Sequence, residues 1–272
     1  MSTHTKLAIL IPVFNDSAGI QSSLESLCKA DIPGGLITLV VDDGSVPSLD
    51  LNMSDFKNIG LEVLRLPCNQ GIEHALNAGL EKLLASNITY IARLDAGDTI
   101  RADRFTRQLE WLDLHPKTVI IGSDVEFVDT ACHLQFRQHP PTNDQGIRRR
   151  MHFSSALMHP SVMIRTEALM RIGGAYSLSY PAAEDYELFF RLMKTGQAAS
   201  IPEPLTTRLL TSGSISERRR RRQLFTRLRI QIGFFEPLLI ESYLGICATL
   251  LFMIIPTALV MRLKRRLASV PF

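Results

Sequence analysis

The residues best placed to do chemistry are Asp95 and Asp98, which close the run Ile88-Thr-Tyr-Ile-Ala-Arg-Leu-Asp-Ala-Gly-Asp98 with only Ala96 and Gly97 between them. The run ahead of them is apolar and β-favouring, which reads as a strand buried on both faces of a parallel sheet. In an open α/β sheet, ligands bind beyond the carboxyl ends of the strands. Two carboxylates at that place can hold a divalent cation and, through it, a diphosphate. The structural alternative is a turn with an N-cap for the helix that follows. A second acidic pair, Glu184-Asp185, opens a segment of helical period. Acids in a first turn are also favoured by the helix dipole, so that pair alone does not mark a site.

These residues need a scaffold, and the chain alternates strand and helix patterns to supply one. Leu7 to Val13 is an apolar run stopped by Asn15-Asp16, and Ser17 is a candidate N-cap for a helix carrying Ile20, Leu24 and Leu27. Leu36 to Val41 predicts a second strand, ending in Asp42-Asp43-Gly44-Ser45. Leu61 to Leu66 predicts a third, followed by Asn69-Gln-Gly71 and a helix with Ile72, Leu76, Leu80 and Leu83 on one face. After the strand at 88–94 come a helix around Ala102 to Leu114 and short strands at Val119–Ile121 and Val125–Val128. The segment from about 130 to 210 is less regular, with a strand expected at Ser161–Arg165 and a helix at Ala183–Lys194. The alternation predicts a mostly parallel α/β sheet covered on both faces. Right-handed crossovers then bring Asn15-Asp16, Asp42-Asp43 and Asp95 with Asp98 to one edge.

The 272-residue chain is 46% apolar and 21% charged, which fits a globular protein and excludes a disordered one. Its net charge of +3 gives no reason to invoke nucleic acid. The four cysteines are scattered with no CxxC pair, as expected of reduced thiols rather than a disulfide or zinc framework. Met1 to Lys6 has no signal-peptide core, so the catalytic body is expected in the cytoplasm.

Several motifs then fall in one order: Pro12-Val-Phe-Asn15, Val41-Asp-Asp-Gly-Ser45, Asn69-Gln-Gly71 with Asn77, Ala92-Arg-Leu-Asp-Ala-Gly-Asp98, His159-Pro-Ser161 and Glu184-Asp-Tyr-Glu-Leu-Phe-Phe-Arg191. Over about residues 5 to 210 this resembles the family 2 glycosyltransferases, inverting enzymes of the Rossmann-like GT-A fold that use nucleotide-sugar donors. The resemblance implies that Pro12, Phe14 and Asn15 flank the base and ribose, and that Asp43 accepts a hydrogen bond from the base. It implies that Asp95 binds ribose and, with Asp98, a Mg²⁺ or Mn²⁺ on the donor diphosphate. Gly97 stands where the family's Asp-x-Asp motif usually has its second aspartate, and Asp98 matches the acid that often follows. Asp185 matches the catalytic base. The chemistry agrees: inverting transfer needs a carboxylate to deprotonate the acceptor and positive charge at the leaving diphosphate. His159 either faces the acceptor or serves packing and hydrogen bonding. Arg93 either pairs near Asp95 or meets phosphate, and Trp111 reads as packing rather than sugar stacking.

The character changes after residue 210, dividing the chain into a catalytic domain, 1–210, and a basic, apolar helical region, 211–272. Arg218 to Arg222 precedes an apolar segment, Ser242 to Met261 carries no charge, and Arg262-Leu-Lys-Arg-Arg266 follows. That stretch is long enough to cross ~30 Å of hydrocarbon as a helix. A spanning helix would place the two basic clusters on opposite sides, against the positive-inside tendency. An anchor lying in one leaflet, with both clusters on anionic headgroups at ~1 kcal/mol per residue, fits the charges better. A buried soluble helix is the remaining reading.

The resemblance therefore implies a hexosyltransferase-type enzyme at the cytoplasmic face of the plasma membrane. Its partners would be a nucleotide-diphosphate-sugar, a polyprenyl-diphosphate-linked glycan and an anionic membrane surface, in O-antigen, capsule or exopolysaccharide assembly. Two competitors remain at this stage. One is a catalytically silent nucleotide-sugar-binding scaffold, which Gly97 favours. The other is a nucleotidyltransferase, which would normally carry a Gly-rich basic loop where Pro12-Val-Phe-Asn-Asp16 stands.

Overall fold

Seven residues of nearly unbroken aliphatic character, Leu7–Val13, form strand β1 at the centre of the parallel half of the sheet. The computed structural model describes residues 7–31, 36–210 and 220–255. Ala8 and Leu10 of β1 pack into one apolar core, and Leu7, Ile9, Ile11 and Val13 into the other. That two-sided burial is why the strand lacks polar alternation. Parallel to β1 lie β2 (Leu36–Asp42) on one side and β4 (Tyr90–Arg93) on the other, with β3 (Leu61–Arg65) beyond β2. Helix α1 (Ser17–Cys28) covers one face and α2 (Ile72–Leu84) the other. The N-cap of α1 is Asp16 rather than Ser17; its carboxylate accepts from the Gly19 amide at 2.9 Å.

The second half departs from the mostly parallel expectation. A two-residue β5 (Thr99–Ile100) precedes α3 (Arg104–Leu114). The two short strands expected at 119–128 are one continuous strand, β6 (Thr118–Val128). Then come β7 (Leu134–Gln138), α4 (Asp144–Met151), a 3₁₀ turn at His159–Ser161, β8 (Met163–Arg165), α5 (Thr166–Arg171) and α6 (Glu184–Met193). A long strand, β9 (Gln197–Leu209), closes the body. The sheet order is β3-β2-β1-β4-β8-β6-β9-β5, with β7 on β6. Strand β8 runs antiparallel to both β4 and β6, β7 runs antiparallel to β6, and β5 antiparallel to β9. The sheet is therefore mixed.

Strand β9 escapes a sequence reading because Pro202 and Pro204 interrupt it, and proline lacks the ladder donor. The pairing with β6 absorbs this through register shifts around Ser123, Asp124 and Val125. Its functional weight comes from the short pairing with β5, Thr99 opposite Thr207, which sets Arg208 beside the turn that carries Asp95 and Asp98.

Two helices follow, α7 (Arg220–Gly233) and α8 (Ile240–Ile254). Among the described residues no helix is long and apolar enough to cross a membrane. Part of the Arg218–Arg222 run, the end of the uncharged stretch to Met261 and the Arg262–Arg266 cluster lie outside the described residues.

Candidate active site

Asp95 and Asp98 sit on a turn held from behind by α1. Ser23, fully buried on the otherwise apolar face of that helix, accepts from the Gly97 amide at 3.0 Å and donates to the Asp98 carbonyl at 2.7 Å. Gly97 has φ +89°, a backbone region that favours glycine. The residue that interrupts the acidic motif is thus set by the turn's geometry.

Beneath the turn lies a buried relay built from the motifs that carried the resemblance. Arg93, 1% exposed, donates from Nη2 to Asp95 Oδ1 at 2.8 Å and from Nε to His159 Nε2 at 3.2 Å. His159 Nε2 also meets the Tyr176 hydroxyl at 2.7 Å. The Tyr176 backbone is clamped by Asn77, whose side chain donates to its carbonyl at 2.9 Å and accepts from its amide at 2.7 Å. Burial, then the positive charge of Arg93, pushes the His159 imidazole down to about 3, so it is a neutral hydrogen-bonding residue. Between the two readings of His159 the packing role prevails, and Arg93 pairs with Asp95 itself. A second guanidinium, Arg104, is fully buried and donates to the Arg93 carbonyl at 3.0 Å. Burial pulls its pKa down to about 9.

The two carboxylates of the turn are driven apart. Burial pushes Asp95 up, but the guanidinium charges of Arg93 and Arg208 outweigh it and hold the group below the ordinary carboxylate range. Asp98 is pushed up to about 8 by burial and then by repulsion from Asp95. Its Oδ2 is buried with no hydrogen-bond partner. An orphaned carboxylate oxygen of this kind is what a cation satisfies. Among the described residues no cluster of three or more His, Cys, Asp or Glu could hold a metal ion. Asp95 and Asp98 therefore fit a divalent ion as a two-carboxylate set completed by substrate phosphate, the manner in which Mg²⁺ is commonly held.

At the neighbouring strand ends the loops after β1, β2 and β3 are zipped together. Asn15 donates its amide to Ser45 Oγ at 2.9 Å and accepts from the Val46 amide at 2.8 Å. Asp42 is structural, accepting from Ser45 N at 2.9 Å and from Arg65 at 2.8 Å. Asp43, 3% exposed, accepts from the amides of Gln70 and Gly71 at 2.8 and 2.9 Å. Pro12 is half-buried, while Phe14 and Asn15 are exposed beside it.

Helix α6 begins with Glu184 and Asp185. Asp185 Oδ1 accepts from the Tyr186 amide at 2.7 Å. Burial pushes Asp185 up to about 6, with Asp95 adding to the rise and Arg208 opposing it. Glu184 is pushed up to about 8 by burial and by Asp185. Arg208 Nη2 lies 3.7 Å from Asp95 Oδ2 with its side chain 35% exposed, and its charge is felt at Asp95, Asp98 and Asp185 alike. Sequence reading missed Arg208, since it lies on the strand masked by prolines. It also missed Ser23, whose one signal is a polar residue on the buried stripe of α1.

The sequence model of a family described as Glycosyl transferase family 2 matches residues 8–173. An uncharacterized glycosyltransferase of Haemophilus influenzae is 28% identical over 203 residues, covering 74% of this chain and 73% of its own length. The amylovoran biosynthesis glycosyltransferase AmsE of Erwinia amylovora is 28% identical over 216 residues, 78% of this chain and 79% of that protein. Among solved structures, residues 1–349 of S. aureus TarS superpose with a TM-score of 0.66 at 17% identity, covering 88% of this chain and 68% of that one. The mannosyltransferase PcManGT from Pyrobaculum calidifontis, solved with GDP-Man and Mn²⁺, gives 0.65 at 16% identity over 99% and 82%. The TarS and PcManGT likenesses are likenesses of fold, an α/β sheet of the GT-A type.

Proposed function

The chain belongs to glycosyl transferase family 2 and is a glycosyltransferase, and from that premise we propose that it moves one sugar, with inversion, from a nucleotide-diphosphate-sugar to a polyprenyl-diphosphate-linked glycan. The setting we propose is cell-surface polysaccharide assembly at the cytoplasmic face of the plasma membrane. The observation that carries the reading is the meeting of Asp95, Asp98 and Asp185 around Arg208, beside the loops that bear Asp43. The biosynthetic role in AmsE's name and the GDP-Man held by PcManGT support the substrate classes.

In this mechanism Phe14 and Asn15 flank the nucleoside beside Pro12. Asp43 keeps lone pairs for the base beyond its two backbone bonds. Asp95, held ionised and immobile by Arg93, faces the ribose. A Mg²⁺ or Mn²⁺ held by Asp95 and Asp98 would supply positive charge at the departing diphosphate. Arg208 adds a guanidinium on the same side, suited to phosphate oxygens. Asp185 takes the proton of the acceptor hydroxyl as that oxygen bonds to the anomeric carbon. The bond from that carbon to the diphosphate oxygen breaks on the opposite face, and the nucleoside diphosphate leaves. A general base of this kind contributes roughly 10²–10⁴-fold.

The test is a screen of nucleotide sugars with purified protein, Mg²⁺ or Mn²⁺ and a lipid-linked acceptor, scoring nucleoside diphosphate. Release from one donor, lost in Asp185→Asn with donor binding intact, is the expected result. Silence with every donor would overturn the proposal.

A further inference from the structure

Helix α8 is built inside out. A surface helix of a soluble domain turns its large apolar residues inward. The residues that α8 buries are Ser242, Gly245 and Thr249, all small, at the spacing of one helical face. Its large apolar residues point outward: Ile240 is 64% exposed, Leu244 51%, Leu251 56% and Ile254 80%, and Leu238 just before it is 99% exposed. An outward apolar face of this extent marks an interaction surface.

The inward face is fitted closely to the body. A Cβ on Gly245 would stand 1.9 Å from the His152 carbonyl oxygen, so α8 can approach this near only with glycine there. Ser242 Oγ meets His152 Nδ1 at 3.0 Å, and Gln231 of α7 donates to the same carbonyl at 2.8 Å. The helix therefore lies against the domain with its apolar side away from it.

We propose that the outward face of α8 seats in the plane of an anionic phospholipid surface. Small residues toward the protein and large apolar ones toward the surroundings is the distribution of a helix solvated by lipid. At 15 residues α8 is about 22 Å long, short of the ~30 Å hydrocarbon core, and its cap Ile255 is already extended ahead of Pro256. The charges complement a negative surface. Arg218 to Arg222 run into the first turn of α7, and Arg262, Lys264, Arg265 and Arg266 follow α8 in the sequence. Arg221 and Arg222 are exposed, and Arg149 meets Glu241 at the start of α8 at 3.4 Å. A second copy of the chain is the other candidate occupant, and the experiment below separates the two.

The helix packed beside α8 ties it to the loop ahead of Asp185. Thr226 and Arg229 of α7 donate to the carbonyls of Pro181 and Ser179, each at 3.0 Å, in the loop that leads into Asp185. This deepens the lipid-linked acceptor reading and rests on it only for the identity of the acceptor.

The experiment is co-sedimentation of the full chain with phosphatidylcholine vesicles, with and without phosphatidylglycerol, beside the double variant Leu244→Asp/Leu251→Asp. Wild type should sediment with the anionic vesicles, and the variant at least roughly tenfold less, with unchanged nucleoside diphosphate binding. Equal sedimentation of the two proteins overturns the proposal. So does a dimer that the variant splits while neither protein binds vesicles. Vesicle binding without turnover of any donor would leave the seat standing and remove the transferase reading instead.

Discussion

Asp185 carries the sharpest expectation at the scale of single residues. Burial sets its pKa at about 6, and a base works only when deprotonated. Turnover should therefore rise about tenfold per pH unit below about 6 and level off above it, as read in a pH–rate profile. A limb near 8 would assign the role to Glu184 instead, the neighbour with the higher value. Arg208 gives a second expectation. Arg208→Met should lower turnover by roughly 10²–10³-fold with a smaller loss of donor affinity, the mark of charge stabilised in the transition state. A loss confined to donor affinity would reduce Arg208 to a binding residue. The sequence singled out Asp95 and Asp98 by their place after an apolar run, and Asp185 only through the family resemblance, since an acid in a first helical turn has an ordinary structural reason to be there. It could not show that Arg93, His159, Tyr176 and Asn77 form one buried relay. That depends on contacts between residues as far apart as 77 and 176. Gly97 reads as a missing ligand in the sequence and as a required positive-φ residue in the fold.

Among the elements, β1 to β4 and α1 to α3 are legible because both-face burial and the 3.6 period are strong local signals, whereas the two-residue β5 carries neither. The direction of the strands that invert is not legible, since nothing local to β7 or β8 states which way its partner runs. In β9 the prolines suppress even the strand signal. The tail holds the opposite case: its apolar content is obvious, but which face is buried depends on His152, far away in sequence. Gly245→Val tests that packing. The added side chain meets backbone rather than a flexible tip, so α8 should be displaced at a cost of about 1–3 kcal/mol, visible as a lower melting temperature. An unchanged melt would show that α8 contributes little to the fold.

Taken whole, the molecule is one mixed sheet whose parallel half ends in the loops that bear Asn15 and Asp43 and whose other half delivers Arg208 and, through α6, Asp185. The parallel half was predictable as a unit, and the mixed half emerges only from the assembled sheet. The unpartnered Asp98 Oδ2 and the buried Arg104 Nη1, also without a partner, are a burden the whole fold carries. Asp98→Asn should raise the unfolding free energy of the free protein by about 0.5–2 kcal/mol. Each kilocalorie corresponds to roughly 2–4 °C in melting temperature for a chain near this size. The gain should vanish or reverse with saturating nucleoside diphosphate and Mn²⁺, and a variant that melts lower when free would refute it. If the proposed cation sits on that oxygen, the atom that weakens the empty protein is the one its loaded state uses, and durability and turnover pull on the same side chain in opposite directions.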